Sequence, residues 1–175
     1  PLSKHMHLVM ALPNVFFFDT QPMAKMRPLQ VDENGSAVSL DELDIETFGA
    51  ASYTQLTWRS LIDGWACTSC ARCQDVCPAY ASGKALNPMQ IIHDVRAYAN
   101  EHSELLFKSE APEEDMISRF GEAAIWACTT CNACVDVCPV NIEHVPKLTD
   151  ARRHLMMERM EFDESVEDTV MPLMM

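Results

Sequence analysis

From residue 87 to residue 125 the apolar positions recur at helical spacing. Ile91, Ile92, Val95, Tyr98 and Ala99 follow Asn87-Pro88, a capping side chain and then the proline favoured at a first helical position. After a break near Lys108 to Pro112, a second stripe runs through Met116, Ile117, Phe120, Ala124 and Ile125 into Trp126. Its expected first turn holds Glu113, Glu114 and Asp115, where the helix dipole favours acids. Upstream, Ser52-x-x-Gln55 has the form of a capping box, with Leu56, Trp58, Leu61, Ile62 and Trp65 behind it. Downstream, Val145 to Phe162 predicts a long helix with Val145, Leu148, Leu155 and Met156 on one side. Arg152, Arg153, Glu158 and Arg159 then form its solvated face, and the fold expected is all-α.

Composition supports that expectation. Glycine is scarce, at 5 of 175 residues, and the 12 methionines suit helices. The formal net charge of −13 is the wrong sign for a nucleic-acid binder and for docking on anionic lipid by charge alone. No run approaches the roughly 18 apolar residues of a membrane-spanning helix; Leu8 to Phe18 is short and contains Pro13 and Asn14. There is no secretory signal pattern. The chain opens at Pro1 and closes on an apolar patch, Val170 to Met175, so a piece of something longer is expected. The expected domains are 1–18, the end of a membrane helix or an interfacial segment; 19–51, an acidic linker with Pro22, Pro28, Gly35 and Gly49; 52–162, a helical domain; and 163–175, the start of a following segment.

The cysteines carry the chemistry. Cys67, Cys70, Cys73 and Cys77 precede Pro78, and Cys128, Cys131, Cys134 and Cys138 precede Pro139; no cysteine lies elsewhere. Both runs read C-x2-C-x2-C-x3-C-P, the spacing of two-cluster iron–sulfur proteins. Three thiolates three residues apart wrap three corners of a cubane, and the intervening N–H groups offset its negative charge. The fourth cysteine ligates the other cluster in such proteins. The expected sets are therefore Cys67, Cys70, Cys73 and Cys138 for one [4Fe–4S] cluster and Cys128, Cys131, Cys134 and Cys77 for the other. Zinc needs only C-x2-C pairs and leaves the third cysteine and the proline unexplained. A disulfide framework belongs to small secreted chains.

The two runs form an internal repeat, Trp65 to Pro78 aligning with Trp126 to Pro139, and the offset from Cys67 to Cys128 is 61 residues. Each tryptophan lies two residues before a first cysteine, so core packing that also shields the cluster is expected.

These residues, with Ser82-Gly83-Lys84-Ala85-Leu86-Asn87-Pro88, resemble the α-helical ferredoxin domain. That domain occurs in heterodisulfide-reductase-like iron–sulfur oxidoreductases and in the iron–sulfur subunits of glycolate oxidase and succinate dehydrogenase. The resemblance covers roughly residues 50 to 162 and implies the cluster type and the crossed ligation. Many relatives carry Gly after the second cysteine of a run, where this chain has Ala71 and Asn132. Ala71 is small enough to keep the backbone near the cluster; Asn132 either bonds a sulfur or faces solvent. Further upstream, Pro1-Leu2-Ser3-Lys4-His5-Met6-His7-Leu8, then Pro13 and Val15-Phe16, is similar to the end of the last membrane helix of a nitrate reductase gamma-like haem b domain. Some membrane iron–sulfur oxidoreductases, linked to electron-transfer flavoprotein and menaquinone, fuse such a domain to a helical ferredoxin and to CCG domains. That resemblance implies His7 as a candidate haem b ligand, against its plainer reading as an interface histidine.

The expected function is electron transfer through two clusters as the module of a larger, membrane-associated, quinone-linked oxidoreductase at the cytoplasmic face of the plasma membrane. Its partners would be electron-transfer flavoprotein or a flavin subunit, a CCG-type domain and a haem b domain. The alternative is a soluble subunit of a heterodisulfide reductase-like or glycolate or lactate oxidase-like complex. No catalytic residues are expected: there is no Ser/His/Asp arrangement, no glycine-rich phosphate loop and no flavin site. His93, His102, His144 and His154 read as surface helix residues. Clusters that only hold the fold together form the third reading.

Overall fold

Side-chain caps and prolines set where the helices of this chain begin. The computed structural model describes residues 5–18, 20, 26, 28, 48–108, 110 and 112–161. The expectations for residues 1–4, for most of positions 19–47 of the 19–51 linker and for 163–175 lie outside them. Among the described residues the fold is all-α, with no strand.

The first helix, α1, spans Met6–Phe16. The Ser52–Gln55 capping box forms, but around a single 3₁₀ turn, Tyr53–Gln55. Thr57 then caps α2, Trp58–Ala66, its Oγ1 accepting from the Ser60 N–H at 3.1 Å. The first cysteine run contains α3, Arg72–Asp75, and α4, Pro78–Ala81. As the sequence predicts, Asn87 caps α5, Pro88–Glu101, by accepting from the N–H groups of Met89 and Gln90. There follow α6, Ser103–Lys108; α7, Ile117–Phe120; α8, Glu122–Ala127; α9, Ala133–Asp136; and α10, His144–Met157.

Two expected helices are corrected. The 113–126 helix is shorter and broken: Asp115 accepts from the Ser118 N–H at 2.7 Å, and Gly121, with φ +75°, ends α7 and redirects the chain. Its stripe is nonetheless buried, from Met116 to Ile125. The last helix ends at Met157, and Met156 is exposed instead of buried. Packed together, α5, α7, α8 and α10 make the main core, centred on Ile91, Val95, Tyr98, Ile117, Ile125 and Leu155. Ala50 and Ala51 join it. Gly49, with φ +72°, lets that segment lie against α10, where a Cβ would collide with the Asp150 carbonyl.

The largest departure is in α2. Its buried face is polar, made by Arg59, Ser60, Asp63 and Gly64, while Trp58 is exposed. Asp63 pairs with the fully buried Lys147 of α10. Asn14 of α1 donates to Asp63 Oδ1 at 2.8 Å and to the Val140 carbonyl at 2.9 Å. Arg59 pairs with Glu143 and donates to the Asn141 carbonyl at 3.0 Å. Buried charges persist only when paired and hydrogen-bonded, so this network pins α1, α2 and the chain after the second cysteine run together. The outer face of α1, including Leu8, Leu12 and Phe16, is left exposed. None of the described helices is long and apolar enough to cross a membrane.

Candidate metal centre

Each cysteine run is shaped by the same unusual backbone. Ser69 and Ala71 have φ of +55° and +62°, and their repeat equivalents Thr130 and Asn132 have +54° and +61°. The left-handed region is sparsely used by non-glycine residues, asparagine being among the more tolerant. Two such residues per run turn the chain tightly, and the N–H groups of Ser69 and Thr130 each meet the sulfur of the first cysteine, Cys67 or Cys128, at 3.4 Å. Asn132 donates to the Thr130 carbonyl at 3.3 Å, bracing the second run. Glycine adopts this conformation at positions 71 and 132 without steric cost.

The runs frame two cavities. Cys67, Cys70, Cys73 and Cys138 line one, with Met89, Val140, Ile142 and His144. Cys77, Cys128, Cys131 and Cys134 line the other, with Leu86, Pro88, Val145, Leu148 and His144. They hold about 290 and 330 Å³ of open space, counted to their mouths. Zinc requires ligands converging on one point, about 2.3 Å from each sulfur. Among the described residues no group of three His, Cys, Asp or Glu side chains could hold a single metal ion. Thiols that ring a space fit a cubane in each cavity. Cys70 and Cys131 are exposed, whereas Cys67, Cys73, Cys77 and Cys134 are buried.

Burial, reinforced by neighbouring cysteines, pushes the Cys73 and Cys134 thiols up to about 12. Burial also raises Cys67, Cys128 and Cys138, while a hydrogen bond from the Arg72 N–H holds exposed Cys70 below its ordinary value. Metal binding must therefore displace protons from the buried thiols. Several groups favour the negative charge that results. The Ile142 N–H meets Cys138 Sγ at 3.4 Å. The charges of Arg96 and Arg152 oppose the rise at Cys67 and Cys128, respectively, without reversing it. The N-terminal ends of α5 and α10 contribute Met89 and His144 to the cavity walls, bringing the positive ends of two helix dipoles close.

The expected surface roles of several residues are corrected here. His144 is fully buried in both walls. His93 contacts Ser69 Oγ through Nε2 at 3.0 Å, and that nitrogen lies 3.9 Å from Cys67 Sγ; burial lowers its pKa. Arg152 is half-buried and donates to the carbonyls of Ile125 and Cys128 at 2.6 and 2.5 Å, capping α8, with its guanidinium 5.5 Å from the Trp126 ring centroid. Arg153 is half-buried against Asp150. Trp65 and Trp126 are half-buried, and Trp126 packs on the main core. His7 lies in α1 and lines neither cavity.

An all-helical frame around two four-cysteine cavities defines a class: the helical two-cluster ferredoxin module. Residues 59–139 match the family described as the 4Fe-4S dicluster domain, a match that supports iron–sulfur clusters and a function in electron transfer. It is 31% identical to "EtfAB:quinone oxidoreductase" of Syntrophomonas wolfei, over 90% of this chain and 24% of that one. It is 34% identical to "Probable membrane-anchored ferredoxin" of Chromohalobacter salexigens, over 70% of this chain and 21% of the relative. With "Probable iron-sulfur-binding oxidoreductase FadF" of Bacillus subtilis the identity is 28%, over 95% of this chain and 27% of the relative. The chain thus spans about a quarter of the length of these relatives. No solved structure matches it significantly.

Proposed function

We propose that this chain is a two-cluster electron relay with crossed ligation, acting as the iron–sulfur module of a larger quinone-linked oxidoreductase. Cys67, Cys70, Cys73 and Cys138 hold one [4Fe–4S] cluster, and Cys128, Cys131, Cys134 and Cys77 hold the other. The observation that carries the reading is the lining of each cavity by three cysteines of one run and the fourth of the other. When bound, each cluster supplies reversible one-electron oxidation and reduction. The chain's own residues bury the clusters, donate N–H groups to the ligating sulfurs and hold the two sites side by side. Cys70 and Cys131, the exposed corners, are where partner centres approach.

The wider setting follows from the relatives' names and lengths and from the apolar outer face of α1. On this reading the module works at the cytoplasmic face of the plasma membrane. It stands between a flavin partner such as electron-transfer flavoprotein, a CCG-type domain, and a haem b domain upstream of α1 with His7 near the haem. Anaerobic dithionite titration of the native gene product tests both levels. Two cluster electrons taken up and returned, with a reducible haem b band in the membrane fraction, are expected. Clusters that resist reduction overturn the relay. Reversible clusters in a haem-free product that fractionates away from membranes remove the membrane setting and leave the relay standing.

A further inference from the structure

His144 is the first residue of α10, is 1% exposed, and is shared by the linings of both cysteine cavities. Among the described residues no other side chain lines both. Its Nδ1 is buried without a hydrogen-bond partner, which native interiors rarely tolerate. In either protonation state the ring carries a nitrogen-bound hydrogen that can be donated. Much of the cavity wall is sulfur and hydrocarbon, from the cysteines with Met89, Ile142, Val145 and Leu148; Thr68 and Arg72 also line the first cavity and Thr129 and Asn132 the second.

We propose that His144 is a positioning residue shared by the two clusters: its ring forms the partition between them, and its Nδ1–H is donated to a cluster sulfur. This rests on the two-cluster reading above. Sulfur offers an acceptor to the Nδ1 that the protein leaves without a partner. A hydrogen bond to a cluster sulfur stabilises the more negative, reduced state and so raises the reduction potential, one of the controls a protein has over such a centre. A single side chain in both walls also links the environment of one cluster to the charge on the other.

The test uses the cluster-loaded chain with His144→Leu, which removes the donor, and His144→Asn, which keeps an N–H near the position of Nδ1. Iron content is measured first, then both potentials by a titration followed by EPR. The expected result is a shift of both potentials to more negative values in H144L and a return toward the original values in H144N. Unmoved potentials in a fully loaded H144L overturn the proposal, as do equal shifts in both variants. Should H144L lose its iron, pulsed EPR of the protein with His144 intact and ¹⁵N-labelled histidine decides. His93 is the other histidine near a cysteine sulfur, so the measurement is made in a His93→Gln background: a nitrogen coupling on either cluster supports the proposal, and its absence from both overturns it. An unsubstituted chain that binds fewer than eight irons fails the two-cluster reading instead.

Discussion

At the residue scale, conformation explains what residue type alone leaves ambiguous. Ala71 and Asn132 sit at φ of +62° and +61°, so the position demands a left-handed backbone as well as a small side chain. Such a conformation costs an L-residue roughly 1–2 kcal/mol, and a β-branched side chain raises the penalty. Ala71 already bears that cost, so Ala71→Val is expected to lose stability through the further β-branched penalty and to deplete iron from the site framed by the first run. Ala71→Gly is expected to keep its iron; denaturant unfolding and iron analysis of the pair check this. Asn132 was a legible hint, since asparagine tolerates that region. Asp63 and Lys147, 84 residues apart in the chain, were not. Hydrophobic periodicity scores charged positions as outward, and only the fold shows that each buried charge here has its partner.

At the element scale, capping was read well and helix length less so. Asn87 caps α5 as its neighbours predict, because a cap is a local hydrogen bond; the Ser52 box forms but closes only a 3₁₀ turn, and Thr57 caps the helix that follows. The break at Gly121 escaped because the apolar stripe continues through it: both segments still bury their side chains against the same core. The repeat is preserved most closely where the clusters need it, in α3 and α9 and in the left-handed residues before them. After the fourth cysteine the halves diverge: Pro78 opens α4, while Pro139 lies in a turn. Crossed ligation makes a prediction about that fourth position. Cys77→Ser is expected to impair the cluster held by Cys128, Cys131 and Cys134 while leaving the signal of the Cys67, Cys70 and Cys73 cluster in place. EPR and Mössbauer spectra of the variant distinguish the two, and loss of the first-run signal alone refutes the crossing.

At the scale of the whole molecule, the eight cysteines made the class of the site legible, whereas its surroundings were not. Spacing and proline define the thiolate geometry locally. By contrast, the walls come from residues brought together by tertiary packing: Leu86 and Pro88 before or within α5, and His144 and Leu148 from α10. The charged network of Asn14, Asp63, Lys147, Arg59 and Glu143 ties α1 to this frame and keeps the segment after Cys138 in place. All of this serves one claim, that the chain holds two cubanes in adjacent cavities. Anaerobic iron and acid-labile sulfide analysis of the purified chain, with Mössbauer spectroscopy to identify the cluster type, tests it most directly. The account predicts eight irons and eight sulfides per chain, all in [4Fe–4S] form; four irons, or stoichiometric zinc, would contradict it.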